Sequence, residues 1–442
     1  MIGGVFLQGI GVYPLYLKSA LDQLKISMHV IKAGVYKDAA ETFLRDSMSD
    51  ESKQSTAALI EDLWGRYLDR ISKHRGVSTE TIFNYINEYD VLLAGGAKPA
   101  RIALDAGLVD KIVSRLEWRE EMEKLIGKNN ALSHSLSYRS YLKSNRPSPS
   151  ELSSHADKVA VIMAKGTILD GEQPAGNIGG DTLSALIRQA SRSSNIKAIV
   201  LRVDSPGGSA SASELIRSAL AAAQAKGKPV VASMGGYAAS GGYWISSTSD
   251  KIFASDSTVT GSIGVFSLFP TFERSLEHLG VRSDGVGTTG LSNAMDNFSE
   301  INPIFRRVLQ SSVNRTYNEF LELVSEGRGL SIEVADSIAQ GRVWSGSSAL
   351  KHGLIDGIGD LEHAIEESAK LAGLEKYEVV YLEKVLSPKE RILKEILHST
   401  LSLLPAIKID LPFEVPSEID ILKEVVQSPS LYLQCTSCDI RF

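Results

Sequence analysis

The chain has 442 residues, is 43% hydrophobic and 23% charged, and carries a net charge of −6, the make-up of an ordinary soluble globular protein with room for two or three domains. It has no basic block to recommend nucleic acid as a partner, no run of about 18 apolar residues to span a membrane, and no basic-then-apolar opening of the signal-peptide kind. The two cysteines, Cys435 and Cys438, form one C-x-x-C with no second Cys or His pair at metal spacing, so they are read as structural or incidental, and neither a metal nor a cofactor is expected.

In chain order, Leu17, Leu21 and Leu24 predict a helix over Leu15–Leu24, and the alternation of Ile26–Lys32 predicts a strand. Helices are predicted to begin at Lys37–Leu44 and to cover Leu59–Ile71. Residues 144–157 are rich in Ser and Pro and form the clearest linker. A new strand follows at Val159–Met163. The β-branched runs Ala198–Val203 and Val230–Met234 read as buried parallel strands. Between them, Ser211–Lys226 places Leu215, Ile216, Ala219 and Leu220 on one helical face. Later, Leu361–Leu371 reads as an amphipathic helix and Tyr377–Leu382 as a strand. Residues 385–434 alternate helical and proline-rich stretches, among them Ile396–Leu404, which is apolar but too short to cross a bilayer.

The two halves repeat one another. Ala103–Asp110 (ALDAGLVD) matches Ala349–Asp356 (ALKHGLID), Arg75-Gly76-Val77-Ser78 matches Arg328-Gly329-Leu330-Ser331, and Ile2–Phe6 echoes Ser262–Phe266. Residues 158–261 have no upstream counterpart. The expected division is therefore a C-terminal portion of a first repeat (1–143), a linker (144–157), a complete second repeat (158–384) and an extension (385–442). A sheet lacking its central strands exposes apolar edges, so the first repeat is expected to pack poorly on its own.

The chemistry lies in two glycine-rich stretches at the ends of the paired strands, Ser205-Pro206-Gly207-Gly208-Ser209 and Gly235–Gly242 (GGYAASGG). One βαβ unit brings both turns to the same sheet edge, where open α/β folds place ligands. Glycine lets backbone N–H groups approach a carbonyl oxygen that is gaining charge. Ser240 sits between Ala239 and Gly241, ahead of the apolar Tyr243-Trp244-Ile245. A hydroxyl there, at a helix start, suits a nucleophile. The plainer reading, that Gly and Ser simply form turns, loses ground because two such turns share one unit.

A nucleophilic serine needs a base. The eight histidines are scattered, and none lies in a turn like those around Ser240. A lysine serves only with a lowered pKa, since at the reference value roughly one in 2,500 is neutral at pH 7. Lys37 follows a strand and a glycine turn and opens a predicted helix, where the dipole disfavours its charge. Burial against the other domain would act in the same direction, and Asp38 would oppose it. On these residues alone, a solvated surface role for Lys37 is the other reading.

DSPGGS, SMGGYAASGGYW and STVTGSIGVF, at this spacing, resemble the signal peptide peptidase A family of serine peptidases over nearly the whole chain. The resemblance implies an α/β fold of tandem Clp/crotonase-like domains, here with the first one incomplete and without an N-terminal anchor. It implies Ser240 as nucleophile, Lys37 as general base, the N–H groups of Gly207 and Gly241 as oxyanion donors, and Ser262 as the residue orienting the lysine. It also implies peptide substrates, cleaved signal peptides among them, a homo-oligomer (a tetramer), and a place at the periplasmic face of a bacterial inner membrane. The chain by itself reads as soluble. Two other readings share the motifs: a crotonase-type acyl-CoA enzyme, which uses the same oxyanion geometry without a nucleophilic serine, and an inactive scaffold fragment of the peptidase.

Overall fold

The structure, a computed structural model of the chain, describes residues 3–127, 137, 138, 140, 141, 156–174, 176–383 and, for the backbone alone, 431–434. Most of the predicted linker, most of the extension after 385 including Ile396–Leu404, and Cys435 and Cys438 lie outside the described residues. Two compact units are present. One is drawn from Met1–Gly11 and Ile60–Ala156, the other from Val12–Leu59 with Asp157–Ile440. This grouping cuts across the division expected at residue 143. The strand Ser27–Ala33 pairs antiparallel along its full length with Val265–Thr271, which ties the segment around it to the later residues.

The first unit is helical among its described residues. Thr79–Asn87, Tyr89–Ala94 and Pro99–Asp105 enclose a small apolar cluster of Tyr85, Ile102 and Ala103, with Val5, Leu7 and Tyr89 packed against it.

The second unit is mixed α/β. Its larger sheet runs in the order Val343–Ser345, Val259–Gly261, Val230–Ala239, Ile196–Ser205, Lys158–Lys165, Glu378–Leu382, with Lys251–Ala254 and Gly357–Ile358 branching beside Val230–Ala239. All its pairings are parallel except that of Val343–Ser345 with Val259–Gly261. Alternate residues face opposite layers, as the two-residue period of a strand requires. Ala160, Ile162, Ile199 and Leu201 enter the main core with Ile187 and Ile216 of the helices Gly180–Arg192 and Ala210–Gln224. Val159, Val161, Ala198 and Val200 pack on the opposite face against Ala364 and Ala369 of Leu361–Leu371. The predicted βαβ unit is present as Ile196–Ser205, Ala210–Gln224 and Val230–Ala239, the two strands adjacent and parallel.

A second sheet follows the order Ser27–Ala33, Val265–Thr271, 431–434, Gly207–Ser209, Ile168–Leu169, Ile178–Gly179. Among the described residues no helix is long and apolar enough to cross a membrane.

Candidate active site

Ser240 ends the strand Val230–Ala239 at the sheet edge. There the chain turns with a φ of 54° and a ψ of −114°, a sparsely populated positive-φ conformation that costs a residue with a Cβ about 1–3 kcal/mol. Its surroundings hold it there. The Ser240 N–H donates to Gly261 O at 2.8 Å, and its carbonyl accepts the Trp244 N–H at 2.8 Å as the short helix Gly241–Trp244 begins. The strand runs further than the sequence predicts. Gly235 and Gly236 are strand residues rather than a turn, and Gly235 serves close approach: a Cβ on it would lie 3.0 Å from the Asp204 carboxylate.

The two glycine stretches meet beside Ser240. A Cβ on Gly241 would lie 2.7 Å from Ser213 Oγ and 3.2 Å from both Gly207 Cα and Gly208 N, so no side chain fits without movement. The Gly207 N–H donates to Ser205 Oγ at 3.2 Å. Asp170, which sequence reasoning did not single out, accepts from the hydroxyls of Ser209 and Ser211 at 2.8 Å each and so fastens the end of this stretch. A lone aspartate just after a short strand offers no sequence signal for that role. The backbone of residues 431–434 runs antiparallel to Gly207–Ser209 on one side and to Phe266–Ser267 on the other.

Lys37 belongs to the same compact unit as Ser240. The helix predicted at Lys37–Leu44 is not there. Lys37 lies in an irregular segment, and only Glu41–Phe43 forms a 3₁₀ turn, so the helix start expected at Lys37 is not there to act on its charge. The side chain is 1% exposed. Its Nζ lies 2.7 Å from Ser240 Oγ and donates to Ser262 O at 2.9 Å and Ser262 Oγ at 3.0 Å. Burial lowers its pKa from 10.5 to about 7, against a smaller opposing pull from Asp38. Desolvation dominates because the amine is removed from water and has no carboxylate bonded to it. Ser262, like Ser240, has a positive φ, of 51°. Of the residues singled out from sequence, the structure thus brings Ser240, Lys37 and Ser262 into one hydrogen-bonded cluster and sets Gly207 against Gly241.

Comparison with known proteins agrees in extent as well as in kind. The profile of Peptidase family S49 matches residues 2–127 and 222–375. Protease 4 of Salmonella typhi is 40% identical over 428 residues, covering 95% of this chain and 68% of that protein. Protease 4 of Haemophilus influenzae is 36% identical over 453 residues, covering 99% and 72%. The chloroplastic serine protease SPPA of Arabidopsis thaliana is 28% identical over 388 residues, covering 87% and 56%. A match of this breadth, on a chain that carries a buried serine beside a buried lysine, places the chain in peptidase family S49 as a serine-type peptidase.

Proposed function

We propose that this peptidase works through a Ser–Lys dyad on extended, apolar peptides, cleaved signal peptides among them. The observation that carries the reading is the 2.7 Å separation of Lys37 Nζ from Ser240 Oγ in a site closed to water. With a pKa of about 7, roughly half of the lysine is neutral at pH 7, against about one in 2,500 at the reference value. A neutral amine has two N–H bonds and one lone pair. The two bonds go to Ser262 O and Ser262 Oγ, which leaves the lone pair for the Ser240 hydroxyl.

In the reaction, Ser240 gives its proton to Lys37 as Oγ attacks the peptide carbonyl. The Gly207 and Gly241 N–H groups receive the developing oxyanion, the former exchanging its long bond to Ser205 Oγ for the charged partner. Lys37, now an ammonium, gives the proton to the leaving amine, and a water molecule releases the acyl group by the same route in reverse. One oxyanion donor is worth about 3 kcal/mol. The strand position taken by 431–434 supports an extended substrate, since the flanking backbone edges there already pair with a chain in that conformation.

The test is cleavage of a fluorogenic apolar peptide by the full chain beside Ser240→Ala and Lys37→Ala. Both variants are expected to fold and to lose at least about 1,000-fold in kcat/KM. In the unsubstituted chain, kcat/KM is expected to rise with pH through about 7, as the ammonium gives up its proton. Full activity in Lys37→Ala rejects the base. Turnover of a CoA thioester that survives Ser240→Ala favours the acyl-CoA reading.

A further inference from the structure

The short loop Gln340–Arg342 touches both parts of the apparatus that holds the Lys37 amine. On the Ser262 side, the Arg342 carbonyl accepts the Ser262 N–H at 2.7 Å, and the Gly341 N–H donates to Ile263 O at 2.7 Å. On the lysine side, the Gln340 carbonyl accepts the Tyr36 N–H at 2.7 Å, while its side-chain Oε1 accepts the Val35 N–H at 3.3 Å. One residue therefore holds two consecutive amides of the segment that ends in Lys37. The next residue leaves no slack: a Cβ on Gly341 would lie 2.5 Å from Lys37 N and 2.7 Å from Lys37 Cα.

Gln340 is itself held from behind. Its Nε2 donates to Asp336 Oδ1 at 2.6 Å, and the Tyr317 hydroxyl donates to the same oxygen at 2.6 Å. The Gln340 N–H donates to the Tyr317 hydroxyl oxygen at 3.3 Å. The carboxylate accepts only, so it requires the Nε2 end of the amide and leaves Oε1 to face Val35. Gln340 also has a φ of 52°, a region that disfavours every residue with a Cβ and that glycine enters freely. A glutamine kept in a glycine's conformation has a use for its side chain.

We propose that Gln340, aimed by Asp336 and Tyr317, is the positioning residue of the Lys37 base: it fixes where the lysine segment lies, and so how closely the amine meets Ser240 and how completely water is kept from it. This rests on the reading of Lys37 as general base. The charged groups around the segment include Asp38 beside the lysine, Glu41 acting on Asp38 and paired with Lys32 at 3.9 Å, Asp336 behind Gln340, and the Arg342 guanidinium 5.3 Å over the Tyr36 ring. The amine itself is bonded to Ser240 and Ser262.

The experiment follows the rate at which a fluorophosphonate labels Ser240 across pH in the full chain, with thermal unfolding in parallel, for the unsubstituted protein, Gln340→Gly, Gln340→Glu and Lys37→Ala. Gln340→Gly keeps the backbone and removes both side-chain bonds. It is expected to unfold within a few degrees of the parent, to label about 10- to 100-fold more slowly at pH 7, and to move the midpoint of the acid limb upward from about 7 as water reaches the amine. Gln340→Glu keeps an acceptor for Val35 but sets a second carboxylate against Asp336. It is expected to shift rate and midpoint in the same direction, and it decides the matter should the glycine variant not fold. Parental rate and midpoint in the folded variants overturn the proposal. So does slower labelling with an unmoved midpoint, the mark of a merely structural residue. Parental labelling in Lys37→Ala rejects the base itself, a failure distinct from that of Gln340.

Discussion

The helices Asp50–Arg75 and Pro303–Arg328 are both 26 residues long. Each ends on an arginine, passes through a left-handed glycine (Gly76, Gly329) and leads to a helix capped by a serine hydroxyl (Ser78, Ser331). The arginines do the same work. Arg75 Nε donates to Gly107 O at 3.0 Å and its guanidinium pairs with Asp110 at 2.9 Å, while Arg328 Nε donates to Gly353 O at 3.0 Å and pairs with Asp356 at 2.8 Å. The difference is burial. The Asp110 side chain is 82% exposed and that of Asp356 only 19%. Asp356 also accepts the Ile252 N–H at 2.8 Å, and the neighbouring Leu354 carbonyl accepts the buried Tyr243 hydroxyl at 2.7 Å. Tyr243 lies in the helix that Ser240 opens. The second copy of the hairpin is thus fastened behind Ser240, while the ion pair of the first stays open to solvent. Duplication preserved the geometry, and the surroundings decide what that geometry is worth.

The copies also differ at the proposed base, and this difference carries the largest expected effect. Between the matches of Ile2–Phe6 with Ser262–Phe266 and of Arg75 with Arg328, the region of Lys37 aligns with Gly290–Ala294, which has no lysine and is mostly exposed, whereas Lys37 is buried. The folded pKa of Lys37, about 7, lies below its ordinary 10.5. Between these values the unfolded chain binds the proton and the folded chain does not, so stability rises with pH across that window. Below about 7 both states carry the proton, and the full cost of a buried ammonium applies. At about 1.4 kcal/mol per unit, the cost reaches at most on the order of 5 kcal/mol. Lys37→Met is therefore expected to be inactive but more stable than its parent in urea unfolding. That gain should be largest at and below pH 7 and should fade toward pH 10.5. A gain that does not change with pH sinks the assignment of the burial cost to this amine.

Next in size is Arg328→Ala, which strips a half-buried carboxylate of its main partner and is expected to cost about 3 kcal/mol. Tyr243→Phe leaves the Leu354 carbonyl without its donor and should cost about 1–2 kcal/mol, with a loss of peptidase activity if the hairpin steadies the helix after Ser240. Arg75→Ala, at the exposed copy, should cost less than about 1 kcal/mol. Equal losses for Arg75→Ala and Arg328→Ala in the same unfolding series break the comparison.

The repeat was legible in sequence because its letters have fixed structural tasks: a glycine turns left-handed, a serine caps a helix, and an arginine reaches a carbonyl 32 or 25 residues further on. The βαβ unit was legible for a similar reason, since β-branched runs around an apolar helical face leave few other folds. The segment around Lys37 was not. Lys37–Leu44 read as the start of a helix, yet the backbone leading into it answers to Gln340, about 300 residues away in the chain. The lowered pKa was expected from a helix dipole and from burial together; no helix begins at Lys37, and burial is what lowers it. Gly235 and Gly236 read locally as a turn, and only the Asp204 carboxylate beside them reveals why a strand needs glycine there.

The crowding at Gly241 has a consequence for how variation in this site is read. Most active sites fail by subtraction, when a side chain that did something is removed. Around Gly241 the groups proposed to work are main-chain amides, which no substitution but proline deletes, and the space is closed to a single carbon by Ser213 Oγ and Gly207 Cα. This part of the site fails by addition. An alanine scan, designed to remove atoms, inserts one here, and damages the site at a residue with no side chain to lose.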